Sequence, residues 1–276
     1  MESPPIPLEP RNDPFQYALK NSSKIVFNRL LHFSALSSTN EYLKPLAKVG
    51  ETEGLIVLAD EQMHGRGRLD RRWHSPRGGL YFSLLVRPMT IPATQTPLIT
   101  LTTGLAVAKV LQSALDVNPS LKWPNDVLLG NHKVAGILVE SAFIGPDIEY
   151  AILGIGINAN STLTEFPESL HTIATTLQVA LNRPINLPRL FGYLIGQLEF
   201  WYMKLRDKGF KAIEPHYRKL CRTLGKPVTI DLGEKQVSGL ARELDPDGGL
   251  VIHTATGRQV IRSGNVISSK AKTDIE

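Results

Sequence analysis

Hydrophobic positions along this chain follow two rhythms. Near-continuous apolar runs, GLIVLADEQ (54–62), GLYFSLLVRP (79–88) and EYAILGIGINAN (149–160), predict buried strands. LKWPNDVLLGNHKVAGILVES (121–141) predicts two more strands, joined by a turn at Gly130–Asn131. Apolar residues at helical spacing predict long helices over 96–116 and 187–207, and a further helix over 210–224. A fourth helix is expected over 36–48, where Glu41 follows Ser38 by three residues in a capping-box pattern. After Gly225 the rhythm changes. Short β-prone runs alternate with Gly, Asp-Gly and Thr-Gly turns over 226–269, the DPDGG turn at 245–249 being the firmest hairpin signal. These patterns predict an α+β domain over 26–222 and a small antiparallel β-barrel over 223–272. Five prolines among the first fourteen residues argue against a helix or strand there, so residues 1–25 are expected to be a flexible or loosely docked extension.

Composition narrows the classes. The chain has 276 residues, enough for a large core plus a small domain, and its net charge of +5 is spread thinly except in one stretch. A single cysteine, Cys221, excludes an internal disulfide and a cysteine-based zinc site, and is read as a packed thiol. No run approaches the roughly 18 apolar residues of a membrane span, and the N-terminus lacks a signal peptide's basic-then-apolar order. A cytoplasmic location is the expectation.

The exceptional stretch is HGRGRLDRRWHSPRGGLYFSLL (64–85), with Arg66, Arg68, Arg71, Arg72 and Arg77 among four glycines. Arginine forks bind phosphate oxygens in pairs, and glycines let backbone N–H groups approach an anion. The pattern is no Walker loop, because no Gly-Lys-Ser/Thr follows. Trp73 in this polar loop is read as exposed and free to cover an aromatic base. KWPND (122–126) gathers a lysine, an aromatic, an amide and a carboxylate into a polar wall, and Asp126 could help hold a magnesium ion that arrives with a nucleotide. In KVAGILVE (133–140) and GIGINAN (154–160) the small residues are expected to let a ligand approach the strands. Taken alone, the loop would suit RNA as well as a nucleotide.

The ordered set SSTN (37–40), GRGRLDRRWHSPRGGLYFS (65–83), KWPND, KVAGIL (133–138) and GIGIN (154–158) closely resembles the biotin–protein ligase family. That resemblance implies a mixed-sheet, class II synthetase-like catalytic domain followed by an SH3-like barrel. It implies two steps: biotin and ATP form biotinyl-5′-AMP, and a lysine of a biotin carboxyl carrier domain then takes the biotin. Carried over position by position, Lys133 matches the lysine between biotin carboxylate and α-phosphate, and Arg66, Arg68 and Arg71 match a phosphate-holding loop that closes over the intermediate. Gly65 and Gly67 would offer backbone donors, and Trp73 would cover adenine. Ser38, Thr39, Asn40, Gln62, Gly136 and Leu138 match the biotin end. Asn125, Asp126 and Asn158 fall on the nucleotide and magnesium side, with Asp126 the candidate to orient or deprotonate the acceptor lysine. His64 and His74 are assigned to solvent. Some members carry an N-terminal DNA-binding module; here about 30 proline-rich residues precede the match, so a monofunctional form is expected, one able to pair as a homodimer and binding neither nucleic acid nor membrane. A lipoate or octanoate ligase on the same fold, or a nucleic-acid-binding module, are the alternatives. The WPND cluster and the arginine loop favour biotin over lipoate, and confinement of the charge to one loop disfavours nucleic acid.

Overall fold

The structure is a computed structural model that describes residues 5–22 and 25–268; the first four residues of the expected extension and the end of the expected barrel, 269–272, lie outside the described residues. A seven-stranded sheet is built from β1 (Arg29–Phe33), β2 (Leu55–Ala59), β3 (Leu80–Val86), β4 (Pro119–Lys122), β5 (Asp126–Leu129), β6 (His132–Ile144) and β7 (Asp147–Ile157). Its order is β1-β2-β3-β7-β6-β5-β4, with β1 and β2 parallel and every other pair antiparallel. The sheet is therefore mixed, as the α+β expectation requires.

Side chains alternate across the pleat, and the two faces have different tasks. Ile56, Leu58, Phe82, Leu84, Ala135, Ile137, Ile155 and Ile157 face the main core beneath α3 (Thr96–Leu115) and α5 (Leu187–Lys208). Leu55, Val57, Leu85 and Ile152 face the other way, against Leu43 and Ala47 of α2 (Thr39–Lys48). Helix α2 covers that second face over β2, β3 and the first half of β7, where Tyr150 and Ile152 lie. Farther along, the same face presents Gly136, Leu138, Gly154 and Gly156, and there a cavity opens. By length and hydropathy α3 comes closer to a membrane-spanning helix than the sequence reading allowed. It is instead the core helix, and Leu98, Leu101, Leu105 and Val107 are buried.

Four expectations change. Region 121–141 holds three strands, because Pro124, with no N–H for the ladder, breaks the first run into β4 and β5. The helix expected over 210–224 is a 3₁₀ turn (Phe210–Ala212) followed by α6 (Glu214–Leu220), with Pro215 at its start, where a missing N–H costs nothing. Cys221 caps α6 as a buried thiol whose pKa burial pushes up. Residues Pro14–Lys20 form a helix, α1, that the proline count had discouraged. Pro14 occupies its first turn, Asp13 caps it by accepting from the Phe15 N–H at 2.8 Å, and Phe15 and Leu19 join the core. β1 was also unread, its five residues being too few for a pattern of their own. A short α4 (Leu177–Leu181) completes the helices of the larger domain.

The C-terminal residues form a five-stranded antiparallel sheet ordered β11-β10-β9-β8-β12, from β8 (Pro227–Asp231), β9 (Gln236–Leu244), β10 (Leu250–Thr254), β11 (Gly257–Ile261) and β12 (Asn265–Ser268). The DPDGG segment is the β9–β10 turn, in which the Asp245 carboxylate accepts from the Asp247 and Gly249 N–H groups.

Candidate active site

One cavity of about 820 Å³ lies on the open face of the large sheet, walled on one side by the arginine loop and on another by Lys226, Val228, Gly264 and Asn265 of the small sheet. All the site residues that the family resemblance implies line it except Gly65. Gly65 lies beneath the loop; its carbonyl accepts from the Trp73 N–H at 2.8 Å, and a Cβ there would meet the Trp73 carbonyl.

At one end the polar side chains bond one another. Gln62 accepts the Thr39 N–H at 2.9 Å and donates to Ser75 Oγ at 3.0 Å. Ser83 Oγ stands 2.6 Å from both Thr39 Oγ1 and Asn40 Oδ1, while Asn40 Nδ2 donates to Glu140 Oε2 at 2.8 Å. Ser38, Thr39 and Asn40 are buried here by the first turn of α2. Ser38 is the N-cap, yet its side chain makes no capping bond, so the expected capping box does not form. Glu41 turns instead to Lys44 and Arg66. Ser83 was missed, although a serine inside the otherwise apolar run LYFSLLV signals a buried polar role.

Between the ends lies a glycine floor. Gly136 and Gly156 are register partners on β6 and β7, and Trp73 rests on them. A Cβ on Gly156 would stand 2.3 Å from Trp73 Nε1, one on Gly136 2.9 Å from Trp73 Cζ3, and one on Gly154 2.4 Å from Asn40 Oδ1. The glycines thus make room for this chain's own side chains, where a ligand's approach had been expected. Trp73 is half-buried rather than exposed, and its indole N–H has no partner among the described residues.

At the other end Lys133 Nζ lies 2.5 Å from Asp126 Oδ1 and 5.1 Å from the centre of the Trp73 ring, within cation–π reach. Its backbone is fixed on both sides: the Lys133 N–H donates to Ile173, and the Thr175 N–H donates to the Lys133 carbonyl. Arg68 donates to Asn125 Oδ1 at 3.1 Å and to the Gly264 carbonyl at 3.3 Å, which ties the loop to the small sheet. Burial lowers the pKa of Lys122, against the pull of Asp126, with the nearby cations Lys133, Arg222 and Arg71 adding to the drop. Burial likewise lowers that of Arg68, and Arg71 adds to it. Asp126 is the one carboxylate among the lining residues, and the described residues hold no group of three or more His, Cys, Asp or Glu suited to a metal. The result is a basin of positive potential with one acid in it, an arrangement that attracts phosphates.

Some assignments shift. Arg66 does not face this basin: its guanidinium lies on Glu41 and on Glu140, 3.3 Å away, at the opposite end. The Gly67 N–H donates to the Arg71 carbonyl at 2.7 Å and is not open to a ligand. Trp123 is no part of the polar wall. It is 1% exposed, with its indole N–H donating to the Gly248 carbonyl of the DPDGG turn at 3.1 Å. His74 contacts the carbonyl of Glu165 at 2.7 Å, in a segment running to Ala174 whose Phe166, Leu170 and Ile173 line the cavity. That segment was unread, since its residues form only short 3₁₀ turns without periodicity. Lys122, the lysine of the KWPND wall, lines the cavity as expected, whereas Arg222 and Lys226 were missed as site residues, each being a single basic residue in an unremarkable context. Asn158 donates to the Thr175 carbonyl at 3.1 Å, and its buried Oδ1 has no partner among the described residues.

Comparison with known proteins follows the same division. Residues 33–158 match the model of the biotin/lipoate A/B protein ligase family, and residues 223–268 that of the biotin protein ligase C terminal domain. The bifunctional ligase/repressor BirA of Bacillus subtilis is 32% identical over 245 residues, 88% of this chain and 75% of that protein. The biotin–[acetyl-CoA-carboxylase] ligase of Paracoccus denitrificans is 31% identical over 83% of this chain and 96% of its own. The structure of the biotin protein ligase from Aquifex aeolicus in complex with biotin and ATP superposes with a TM-score of 0.77 at 32% identity, covering 87% of this chain and 98% of that one.

Proposed function

This chain belongs to the biotin/lipoate A/B protein ligase family, and from that premise we propose that it attaches biotin to a lysine of a biotin carboxyl carrier domain, using ATP and passing through biotinyl-5′-AMP. The observation that carries the reading is the polarity of this cavity. A closed network of neutral hydrogen-bonding groups at one end suits a ureido ring, and a cationic basin at the other suits a triphosphate.

In the first step a carboxylate oxygen of biotin bonds to the α-phosphorus, and the bond from that phosphorus to the bridging oxygen breaks, releasing pyrophosphate. Two anions must meet, so preorganised positive charge is the chief requirement. Lys133, 5.1 Å from the centre of the Trp73 ring, stands on the side of the cationic end that borders Trp73, held by Asp126 and by the backbone of Ile173 and Thr175. Lys122, Arg68 and Arg71 supply the rest of the field over the phosphates. Trp73 on its glycine floor separates the two ends, and its indole face is the surface offered to adenine. Asn125 and Asn158 supply amides on the same side. Asp126, the one carboxylate among the lining residues, would hold a magnesium ion arriving with the nucleotide, which would neutralise phosphate charge. In the second step the carrier amine, in its neutral form, attacks the acyl carbon of the adenylate; the bond from that carbon to the phosphate oxygen breaks, releasing AMP, and the surplus proton on nitrogen passes to water. Asp126, already bonded to Lys133, acts here by orienting. Arg68, bridging Asn125 and Gly264, holds the loop over the adenylate and excludes water.

The test is incubation with ATP, magnesium, biotin and a carrier domain. One biotinyl addition is expected in the carrier's mass; an unchanged mass alongside biotin-dependent pyrophosphate release would overturn the transfer step, and no pyrophosphate release would overturn the whole reading.

A further inference from the structure

We infer that Glu140, which does not line the cavity, is a positioning residue for this reaction: one carboxylate holds the biotin-end amide of Asn40 and latches the arginine loop through Arg66. Glu140 lies on β6 on the same face as Gly136 and Leu138, one pleat beyond the floor. Its two oxygens have separate partners. Oε2 accepts from Asn40 Nδ2 at 2.8 Å, and Oε1 faces Lys44 Nζ at 2.8 Å and Arg66 Nη1 at 3.3 Å. Glu41 meets the same two cations, so two acids and two bases from α2, β6 and the loop close into a quartet. Hydrogen bonding to Glu41, and then the charge of Glu140, raises the Arg66 pKa; Lys44 first, then Arg66, lowers that of Glu41.

The consequence is a coupling. Asn40 is fixed at both ends of its amide, by Ser83 at the carbonyl and Glu140 at the NH2, so its donor and acceptor cannot exchange places. The group that fixes the NH2 also anchors the loop, so a biotin end in its working arrangement favours a closed loop. With side-chain exposures of 22% for Glu140 and 38% for Arg66, the latch is screened by solvent and can open for substrate.

The inference rests on the adenylate reading above and is tested with two variants that separate its halves. Glu140→Gln keeps an oxygen for Asn40 but removes the charge; Glu140→Ala removes both. Biotin Kd is expected to stay within about threefold of wild type in E140Q and to rise about tenfold in E140A, the share of one charged hydrogen bond. Release of free biotinyl-AMP, read by labelling of bystander lysines, is expected to rise up to about fivefold in both, the scale of a solvent-screened pair. Arg66→Met should leak to the same degree with biotin Kd within about threefold of wild type, as in E140Q, and combining the two should add nothing further. Additive leakage in the double variant, or an equal biotin Kd in E140Q and E140A, would overturn the latch while leaving an active wild type untouched. A wild type that forms no adenylate would overturn this inference and the functional reading together.

Discussion

The two ends of the cavity are built on opposite principles. At the biotin end, Thr39 and Asn40 of α2, Ser83 of β3, and Gln62 and Ser75 of the loop bond one another, and the nearest charges, Glu41, Lys44, Arg66 and Glu140, cancel. At the nucleotide end Lys122, Lys133, Arg68 and Arg71 gather around one acid, and the Trp73 N–H and Asn158 Oδ1 have no partner among the described residues. A satisfied network fixes shape and reads a neutral ring by fit. Surplus charge in a half-buried basin costs stability by itself and is recovered when an anion arrives. On the proposed function, the first end discriminates and the second drives chemistry.

Lys133→Ala separates the two most sharply. Removing a preorganised cation from the point where two anions meet should lower adenylation about 10²- to 10³-fold. The network of Thr39, Asn40, Gln62 and Ser83 makes no contact with Lys133, so biotin affinity should fall by less than about tenfold, no more than one charged hydrogen bond. Pyrophosphate release and calorimetric biotin binding measure the two. Equal losses in both would mean that the ends are not independent.

The sequence discloses these two ends unequally. Strands β2, β3 and β7 and helices α3 and α5 were legible because long apolar runs carry their own period, and so were the motifs along them. Direction was not. Arg66 and Arg68 are two residues apart in one motif, yet one guanidinium lies on Glu41 and Glu140 and the other on Asn125 and Gly264. Only partners 25 to nearly 200 residues distant along the chain decide between them. The glycines of GIGIN were correctly tied to close approach, but what approaches is Trp73 and Asn40. Trp123 illustrates the same limit: its neighbours in KWPND are polar, while its own partner, Gly248, belongs to the small sheet.

That partner gives a smaller effect, confined to one end. Trp123→Phe keeps the ring in place but leaves the buried Gly248 carbonyl without its donor, costing about 1–3 kcal/mol. Gly248 lies against Leu98 and Leu101 of α3, so the turn has little room to settle and the adjustment falls on Trp123, two residues before Asn125 and three before Asp126. The KM for ATP should rise several-fold while that for biotin stays unchanged, with a fall in Tm from the lost bond. A parallel rise in both constants would show that the small sheet supports the whole cavity rather than its nucleotide end.

The smallest effect tests how far the rigidity of the biotin end extends. Behind it His32, 5% exposed, lies between two carboxylates, with Nδ1 3.0 Å from Asp13 and Nε2 2.9 Å from Asp60, two residues before Gln62. Arg77 stands 4.0 Å from Asp60 on the solvent side, and the Phe15 ring packs edge-on. Burial opposes charge on the imidazole, but the bonds and charges of Asp60 and Asp13 together prevail, and its pKa is raised above the ordinary 6.5. A raised folded pKa gives stability that is fully present below 6.5 and is lost as pH rises through the folded value, since a neutral imidazole has one N–H for two acceptors. The contribution is on the order of 1 kcal/mol, or about 2–4 °C in Tm. The Tm advantage of wild type over His32→Gln should therefore shrink on moving from pH 6 into the alkaline range. Over the same range the KM for biotin should stay constant, because Thr39, Gln62 and Ser83 are bonded to one another and not to His32. A KM that climbs as the Tm advantage shrinks would show that the strap running from Asp13 through His32 to Asp60 holds the biotin end in shape.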